Sequence, residues 1–194
     1  MFTLLLLAYC ALLAAASPTH RLSHRHDIKE RSTPNGSFRI YAYGPNITGL
    51  PIFYANSIAY IGHHAPSNIS DNAAANLTFS MNSTSLYISP TTTKNWTLTS
   101  QMFIVPESDI LSPVGFTSVW TTQTQPKNSV STGFVFYGNQ LSWESSDGTL
   151  LANFWAEPTT KKDLYILNWN NNNTAESGMS PVLLEYSEPT YITH

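Results

Sequence analysis

The chain has 194 residues, a formal net charge of −3 and a pI near 6.0. Only 11% of its residues are charged, against about 25% in an average soluble domain, while 12% are aromatic. The aromatic content excludes a disordered chain, which lacks core-forming residues. The scarcity of Lys and Arg excludes nucleic acid as a partner, because phosphate contacts need clustered basic residues. It also disfavours a helical bundle, whose exposed faces are normally filled with Glu, Lys and Arg.

Residues 1–16 have the pattern of a secretory signal peptide. An apolar run from Leu4 to Leu13 is followed by three alanines, which predicts cleavage before Ser17. The run is too short to span ~30 Å of hydrocarbon. No second long apolar segment follows, and the C-terminal sequence lacks the hydrophobic tail of a lipid-anchor signal. We therefore expect a secreted, extracellular protein without a membrane span or lipid anchor.

The only cysteine, Cys10, lies inside this leader. The mature chain is therefore expected to have no thiol and no disulfide, which excludes thiol catalysis and cysteine-ligated zinc. Small secreted domains normally use disulfides to supplement the core. A single domain of about 160 residues nevertheless buries enough apolar surface to fold without them.

Residues 17–34, SPTHRLSHRHDIKERSTP, differ sharply in composition from the rest of the chain. They hold four of the nine basic residues, two of the twelve acidic residues and three of the six histidines. We interpret them as a basic, His-rich pro-segment or flexible tail; a His-rich metal site is the alternative, and it lacks a rigid frame for its ligands. The remaining domain, residues 35–194, has five basic and ten acidic residues and a net charge of −5, which disfavours anionic membranes and acidic polysaccharides as partners.

From Phe38 onward, short runs rich in aromatic and β-branched residues alternate with turn residues, as expected for strands of 4–8 residues. No stretch keeps a helical period beyond about two turns. Regular short strands without intervening helices predict an all-β domain, which we expect to be a single antiparallel β-sandwich of the jelly-roll type.

Two similar segments, FYANSIAY at 53–60 and FYGNQLSW at 136–143, are each predicted to form a hairpin with a two-residue turn. Gly138-Asn139 suits a type II′ turn, whose first central residue needs a positive φ, whereas Ala55-Asn56 suits it less well, so a longer first loop is the alternative. Another tight turn is predicted at Asp147-Gly148. The inward faces of the two hairpins are our first candidates for the core: Phe53, Ile58 and Tyr60 on one, and Phe134, Phe136, Leu141 and Trp143 on the other.

Seven Asn-x-Ser/Thr sequons, none with proline in the middle position, indicate a glycoprotein of the eukaryotic secretory route. They begin at Asn35, Asn46, Asn68, Asn76, Asn82, Asn95 and Asn172. We expect these asparagines on exposed loops or edges. A chain rich in Asn, Ser and Thr also produces sequons by chance, so only some of them need be occupied.

A secreted, disulfide-free β-protein of this size is similar in length and composition to jelly-roll polysaccharide hydrolases. Such enzymes need two carboxylates that face each other across a cleft. Glu144 and Glu185 are the only carboxylates within strand-like runs, although an edge or outward-facing position also explains both. The Glu-x-Asp-x-x-Glu strand motif of laminarinase-like enzymes and the Gly-x-Ser-x-Gly elbow of esterases are both absent. We assign no catalytic residue, and a hydrolase using Glu144 and Glu185 remains an alternative.

His63 and His64 are the only histidines between the tail and the last residue. Adjacent residues of a regular strand point to opposite faces, so this pair could hold copper or zinc only from a loop. We expect a solvated loop pair, and we expect neither a metal nor another cofactor.

Sugar-binding modules present exposed Trp or Tyr rings on a sheet. The alternation in TLLANFWA and DLYILNWN allows Trp155, Tyr165 and Trp169 to share one aromatic face, which makes these residues the candidate glycan-binding platform. Burial in the core is the competing interpretation for the tryptophans.

Five segments resemble a family of small secreted proteins of filamentous ascomycete fungi. They are GSFRIYAYG at 36–44, GLPIFYANSIAYIG at 49–62, GFVFYG at 133–138, DGTLLANFWA at 147–156 and LYILNWN at 164–170. The resemblance covers most of the chain after the tail and implies a fungal, wall-associated extracellular protein. It implies no activity and no catalytic residues. The chain departs from the family at Ala55-Asn56, where relatives tend to have an Asp-Gly-like turn.

The leading hypothesis is a secreted, non-enzymatic fungal glycoprotein that binds a cell-wall glycan or a host or surface protein. A wall-polysaccharide hydrolase is the first alternative. A carrier or accessory protein with an apolar cavity for a small hydrophobic metabolite is the second.

Overall fold

The computed structural model describes residues 31–69, 74–91, 100–106, 111–117, 125–172, 174 and 177–188. The predicted signal peptide, most of the predicted tail and the sequon at Asn95 lie outside these ranges. Within them the chain forms sixteen strands and no helix. Every strand pair in them is antiparallel, which confirms the all-β, antiparallel prediction for this part of the chain.

Eight of the sixteen strands have the predicted length of four to eight residues, two have nine, and six have only two or three. In chain order they are β1 (Arg31–Ser32), β2 (Tyr41–Gly44), β3 (Ile47–Ala55), β4 (Ile58–Ile61), β5 (Ala74–Asn82), β6 (Ser85–Pro90), β7 (Ser100–Phe103), β8 (Ser112–Pro113), β9 (Gly115–Phe116), β10 (Phe134–Tyr137), β11 (Gln140–Glu144), β12 (Leu150–Leu151), β13 (Phe154–Pro158), β14 (Tyr165–Trp169), β15 (Ser180–Pro181) and β16 (Leu183–Glu185).

Six strands close into a barrel in the order β3, β5, β6, β7, β9 and β4, with β4 pairing again with β3. Closure depends on β4. It pairs with β3 along one edge, and its residue Ile58 pairs with Gly115 of β9. The predicted jelly-roll sandwich is therefore replaced by a closed barrel with further strands attached. Sandwich strands and barrel strands share the same two-residue alternation, so the sequence pattern alone does not distinguish the two arrangements.

The remaining strands extend the barrel in two directions. From β4 the sheet continues through β14, β13 and β15, with β8 also on β14. From the first half of β3 it continues through β2, β16, β11, β10 and β1, with β12 also on β11. We call β1, β2, β10, β11, β12 and β16 the outer sheet. Arg31 and Ser32, which the sequence assigned to the tail, pair with Tyr137 and Phe136 and form the edge strand of this sheet.

One hydrophobic core joins the barrel to the outer sheet. Inside the barrel, the Phe116 ring lies 5.8 Å from that of Tyr54 and 6.4 Å from that of Phe79, measured between centroids. The outer sheet contributes Phe136 and Leu141, both fully buried. Burying one large apolar side chain contributes about 1.5–3 kcal/mol, so this shared core ties the two parts together.

The second hairpin follows its prediction. Tyr137 pairs with Gln140 across the turn, and Gly138 has a φ of 59°. Its predicted core side chains belong to the shared core, with Trp143 partly buried against it.

The first hairpin differs from its prediction by one residue. Its turn is Asn56-Ser57, with φ values of 50° and 65°, so that Ala55 pairs with Ile58 and Phe53 with Tyr60. Phe53 and Tyr60 do share a face, but they form a second, smaller apolar cluster on the opposite side of the sheet from the main core. Their ring centroids are 5.6 Å apart.

The Asp147-Gly148 turn joins β11 to β12, and Gly148 has a φ of 83°. The Asp147 carboxylate accepts hydrogen bonds from the Ser145 hydroxyl and, at 3.0 Å, from the Thr149 amide. These hydrogen bonds, of which the one from Ser145 has the largest effect, lower the pKa of Asp147 from 3.8 to about 2. The charged side chain thus supports the tight turn that the sequence predicted.

Candidate interaction face

The side of the outer sheet that points away from the core carries an unusual mixture of residues. One row across its strands consists of Arg31, Tyr137, Gln140, Glu185 and Tyr41, each paired with its neighbour. Side chains two residues apart on a strand point the same way, and the intervening residues belong to the core. We call this side the outward face. Its residues are Arg31, Tyr41, Tyr43, Val135, Tyr137, Gln140, Ser142, Glu144, Leu150, Leu183 and Glu185.

The outward face holds exposed leucines. Leu183 is 45% exposed and Leu150 is 38% exposed, and they are the only large apolar side chains exposed in the part of the chain that the structure describes. Leu183 lies two residues before Glu185 on β16, and Leu150 pairs with Glu144. Contiguous exposed apolar patches with a polar rim mark interaction sites on soluble proteins, and these two leucines are the exposed apolar part of the outward face.

An ion pair crosses the outward face. The Arg31 guanidinium contacts the Glu144 carboxylate, and this hydrogen bond raises the pKa of Arg31 above its ordinary value. Arg31 stands level with Tyr137, whereas Glu144 lies four residues beyond Gln140. The ion pair therefore spans the row of Val135 and Ser142, which pair with each other between these two positions. Val135 is only 3% exposed.

A second group of contacts holds the part of the outward face formed by β2 and β16. The Asn139 amide donates to the Glu185 carboxylate at 2.8 Å. The Tyr41 hydroxyl donates to Glu188 at 2.9 Å, and the Tyr43 hydroxyl donates to the Ser187 carbonyl at 3.1 Å. Burial, which is the larger cause, and the hydrogen bond to Glu188 raise the pKa of Tyr41 above 10.0. The residues after β16 thus hold both tyrosine rings in place.

Glu144 and Glu185, the alternative catalytic pair, lie on this same face but are not brought together. Glu185 pairs with Gln140, four residues from Glu144 along β11, which is about 13 Å at the rise of a strand. The two carboxylates of a glycosidase lie only about 5–9.5 Å apart. Each carboxylate also turns to its own partner, Glu144 to Arg31 and Glu185 to Asn139.

The predicted aromatic platform does not form. Trp169 pairs with Phe154 and Trp155 pairs with Asn168, so the two tryptophans point to opposite faces of the sheet. Trp169 is fully buried in the core with its ring centroid 5.1 Å from that of Phe154, and Trp155 is only 4% exposed. Tyr165 is partly buried against the core. The large apolar area of the tryptophans makes burial more favourable than exposure.

His63 and His64 are both exposed in the loop that follows β4. Among the described residues, no group of three or more His, Cys, Asp or Glu side chains is placed to hold a metal ion.

The sequon asparagines differ from the other asparagines in exposure. All six described ones, at positions 35, 46, 68, 76, 82 and 172, are exposed. Of the seven other described asparagines, only Asn56 and Asn128 are exposed. The others include Asn168, which is 1% exposed and donates to Glu157 at 3.0 Å. No described sequon asparagine belongs to a strand of the outer sheet.

The outward face could not be found from the sequence, because its strands come from distant parts of the chain. Tyr41 and Glu185 are neighbours in the sheet although 144 positions separate them in the chain. One local signal was present: in FRIYAYG, Arg39, Tyr41 and Tyr43 alternate with Ile40 and Ala42, which belong to the main core, the pattern of a strand with one polar aromatic face.

Within the residues that the structure describes, no helix has the length and apolar character needed to cross a membrane. Comparison with protein-family models, with curated proteins and with solved structures gives no match.

Proposed function

We propose that this protein is a secreted, non-catalytic fungal glycoprotein that binds another protein at the cell wall, at the cell surface or toward a host, through the outward face. The observation that carries the proposal is the position of Leu183 and Leu150. Both exposed leucines lie on one face, and the described strands of that face contain no sequon. A glycan on this face would block a partner, whereas glycans elsewhere would not.

A protein partner fits the face better than a polysaccharide does. Sugar-binding modules present exposed aromatic rings on a sheet, but Trp155 and Trp169 are buried, and the hydroxyls of Tyr41 and Tyr43 are held by residues 187–188. Exposed leucines surrounded by carboxylates, guanidiniums and amides match the apolar centre and polar rim of protein interfaces.

Secretion and N-glycosylation are supported by the asparagines. Sequons that arise by chance in an Asn-rich chain would share the exposure of the other asparagines. Instead, all six described sequon asparagines are exposed, against two of the seven others. This is the distribution expected of glycan attachment sites, which lie on the surface of secreted proteins.

The two alternatives gain no comparable support. The hydrolase needs a facing carboxylate pair, and Glu144 and Glu185 are separated by four residues along the sheet. The metabolite carrier needs an apolar cavity, and the rings of Tyr54, Phe79 and Phe116 pack against one another inside the barrel.

The test compares two lysine substitutions in mature protein from a glycosylating host. Leu183→Lys places a charge on the outward face, and Ser89→Lys places the same charge on an exposed position of β6 in the barrel. Retention is measured on wall and surface fractions of a filamentous ascomycete, before and after protease treatment, and on purified wall polysaccharides.

We expect retention that protease treatment of the fraction abolishes. Leu183→Lys should weaken it about tenfold or more, as the loss of an interface anchor does, while Ser89→Lys leaves it unchanged. Equal retention of the two variants, or retention on purified polysaccharide, would contradict the proposal. Absence of retention on every fraction would contradict it as well.

A further inference from the structure

The basic part of the N-terminal tail enters the fold beside the outward face. Residues 17–30 directly precede β1, the edge strand of the outer sheet, and they contain Arg21, Arg25 and Lys29. The next basic residue, Arg31, is already paired with Glu144 on that face. The Arg31–Glu144 pair thus shows that carboxylates of the outward face attract basic side chains from this part of the chain.

Further carboxylates on this side of the sheet are bound by neutral donors. Glu185 accepts from the Asn139 amide and Glu188 accepts from the Tyr41 hydroxyl, so these bonds leave both negative charges in place. Counting Arg31 and Arg39 against Glu144, Glu185 and Glu188, this side keeps one net negative charge. Next to these carboxylates stands Leu183, 45% exposed.

We propose that residues 17–30 dock on the outward face as its intramolecular occupant, crossing from β1 toward Leu183 and Glu185. The segment has the matching chemistry. Its three basic and two acidic residues give it one net positive charge, and Leu22 and Ile28 are available for the exposed leucines. If the face binds a partner as proposed above, the segment competes with that partner, and its removal uncovers the face.

The segment is long enough for this path. Leu183 lies three strand spacings from Arg31 and two residues along the strand, a separation of about 16 Å. The eight residues from Ser23 to Arg31 span up to about 26–29 Å when extended. A chain of this length therefore reaches Leu183 without strain, and the remaining residues reach past it.

Cysteine cross-linking tests the docking directly, because the only natural cysteine lies in the leader. The full chain is secreted as the double variant Ser23→Cys with Leu183→Cys, and the yield of intramolecular cross-link with a short bis-maleimide is measured by mass spectrometry. The matched control is Ser23→Cys with Thr132→Cys. Thr132 is exposed and lies about 17 Å from Arg31, five residues along the line of β10 from Tyr137, but it is not on the outward face.

We expect the Leu183→Cys pair to cross-link at least fivefold more than the Thr132→Cys pair. Adding Glu185→Lys should reduce its yield severalfold, since that change reverses the charge beside Leu183. Equal yields from the two pairs, no yield from the Leu183→Cys pair, or cross-links between two chains would each overturn the docking.

These outcomes are separate from those of the proposed function. Partner binding that depends on Leu183, found together with no preferential cross-link, would reject the docking and leave the proposed function standing. A preferential cross-link in the full chain, found together with no partner binding by the protein either with or without residues 17–30, would retain the docking and reject the proposed function.

Discussion

The two hairpins with similar sequences, FYANSIAY and FYGNQLSW, occupy different places in the fold. The β10–β11 hairpin lies in the outer sheet and turns at Gly138-Asn139, so Phe136 enters the main core. The β3–β4 hairpin lies in the barrel and turns one residue later, at Asn56-Ser57, so the equivalent Phe53 enters the second cluster. A shift of one residue moves every side chain to the other face of a sheet, and these hairpins show that shift between related sequences.

The residue at the first turn position accounts for the difference. Gly138 adopts a φ of 59° at no steric cost, because glycine has no Cβ. The equivalent residue of the other hairpin is Ala55, for which a left-handed backbone costs about 1–2 kcal/mol. The turn therefore forms at the next residue, Asn56, and asparagine tolerates this conformation better than most residues.

The largest expected effect comes from truncating the equivalent phenylalanines. Phe136→Ala should lower the free energy of unfolding by about 3–5 kcal/mol, the usual cost of deleting a buried ring. Phe53→Ala should cost less, because the loop residues Ala65 and Ile69 that cover its cluster can settle into the space. Urea denaturation of the glycosylated protein measures both, and a larger loss for Phe53→Ala would show that the second cluster is the more important one.

Gly138→Ala should have an intermediate effect. The added Cβ forces a left-handed backbone on alanine, and we expect a loss of about 1–2 kcal/mol, read from the same denaturation curves. Gly36→Ala is the matched control, since Gly36 also has a positive φ, 72°, and open space around it, but lies outside the hairpins. If turn geometry decides the register, NMR of the Gly138→Ala variant should show altered pairing between Tyr137 and Gln140, whereas Gly36→Ala leaves that pairing intact.

The smallest effect, and one of opposite sign, is expected for Ser57→Gly. Ser57 has a φ of 65°, and Asn-Gly is the preferred pair for a turn with two left-handed residues. Relief of the backbone strain at Ser57 should raise the free energy of unfolding by about 0.5–1 kcal/mol. Loss of the 3.2 Å hydrogen bond between the Ser57 and Tyr54 hydroxyls reduces this gain. The variant Tyr54→Phe measures the contribution of the Tyr54 hydroxyl, which includes that bond, and a net loss of stability larger than the Tyr54→Phe effect would show that Ser57 is not strained.

Several features of the fold were predictable because they depend on neighbouring residues. The short strands follow from alternating aromatic and β-branched residues, and the turns at Gly138 and Gly148 follow from glycine at positions that need a positive φ. The candidate site was not predictable in the same way. Trp155 and Trp169 have the alternation of a shared face, but strand pairing places them on opposite faces, and alternation gives no measure of burial.

The sequence by itself determined the secondary structure class, the turns at Gly138-Asn139 and Asp147-Gly148, and which asparagines carry sequons, since each depends on residues within a few positions of one another. Only the tertiary structure decided that β4 closes a barrel, that Glu144 and Glu185 stay apart, and that Leu183 stands exposed beside Glu185. These features depend on pairing between strands distant in the chain. The free energy of that pairing comes from burying one common core, which no local pattern records.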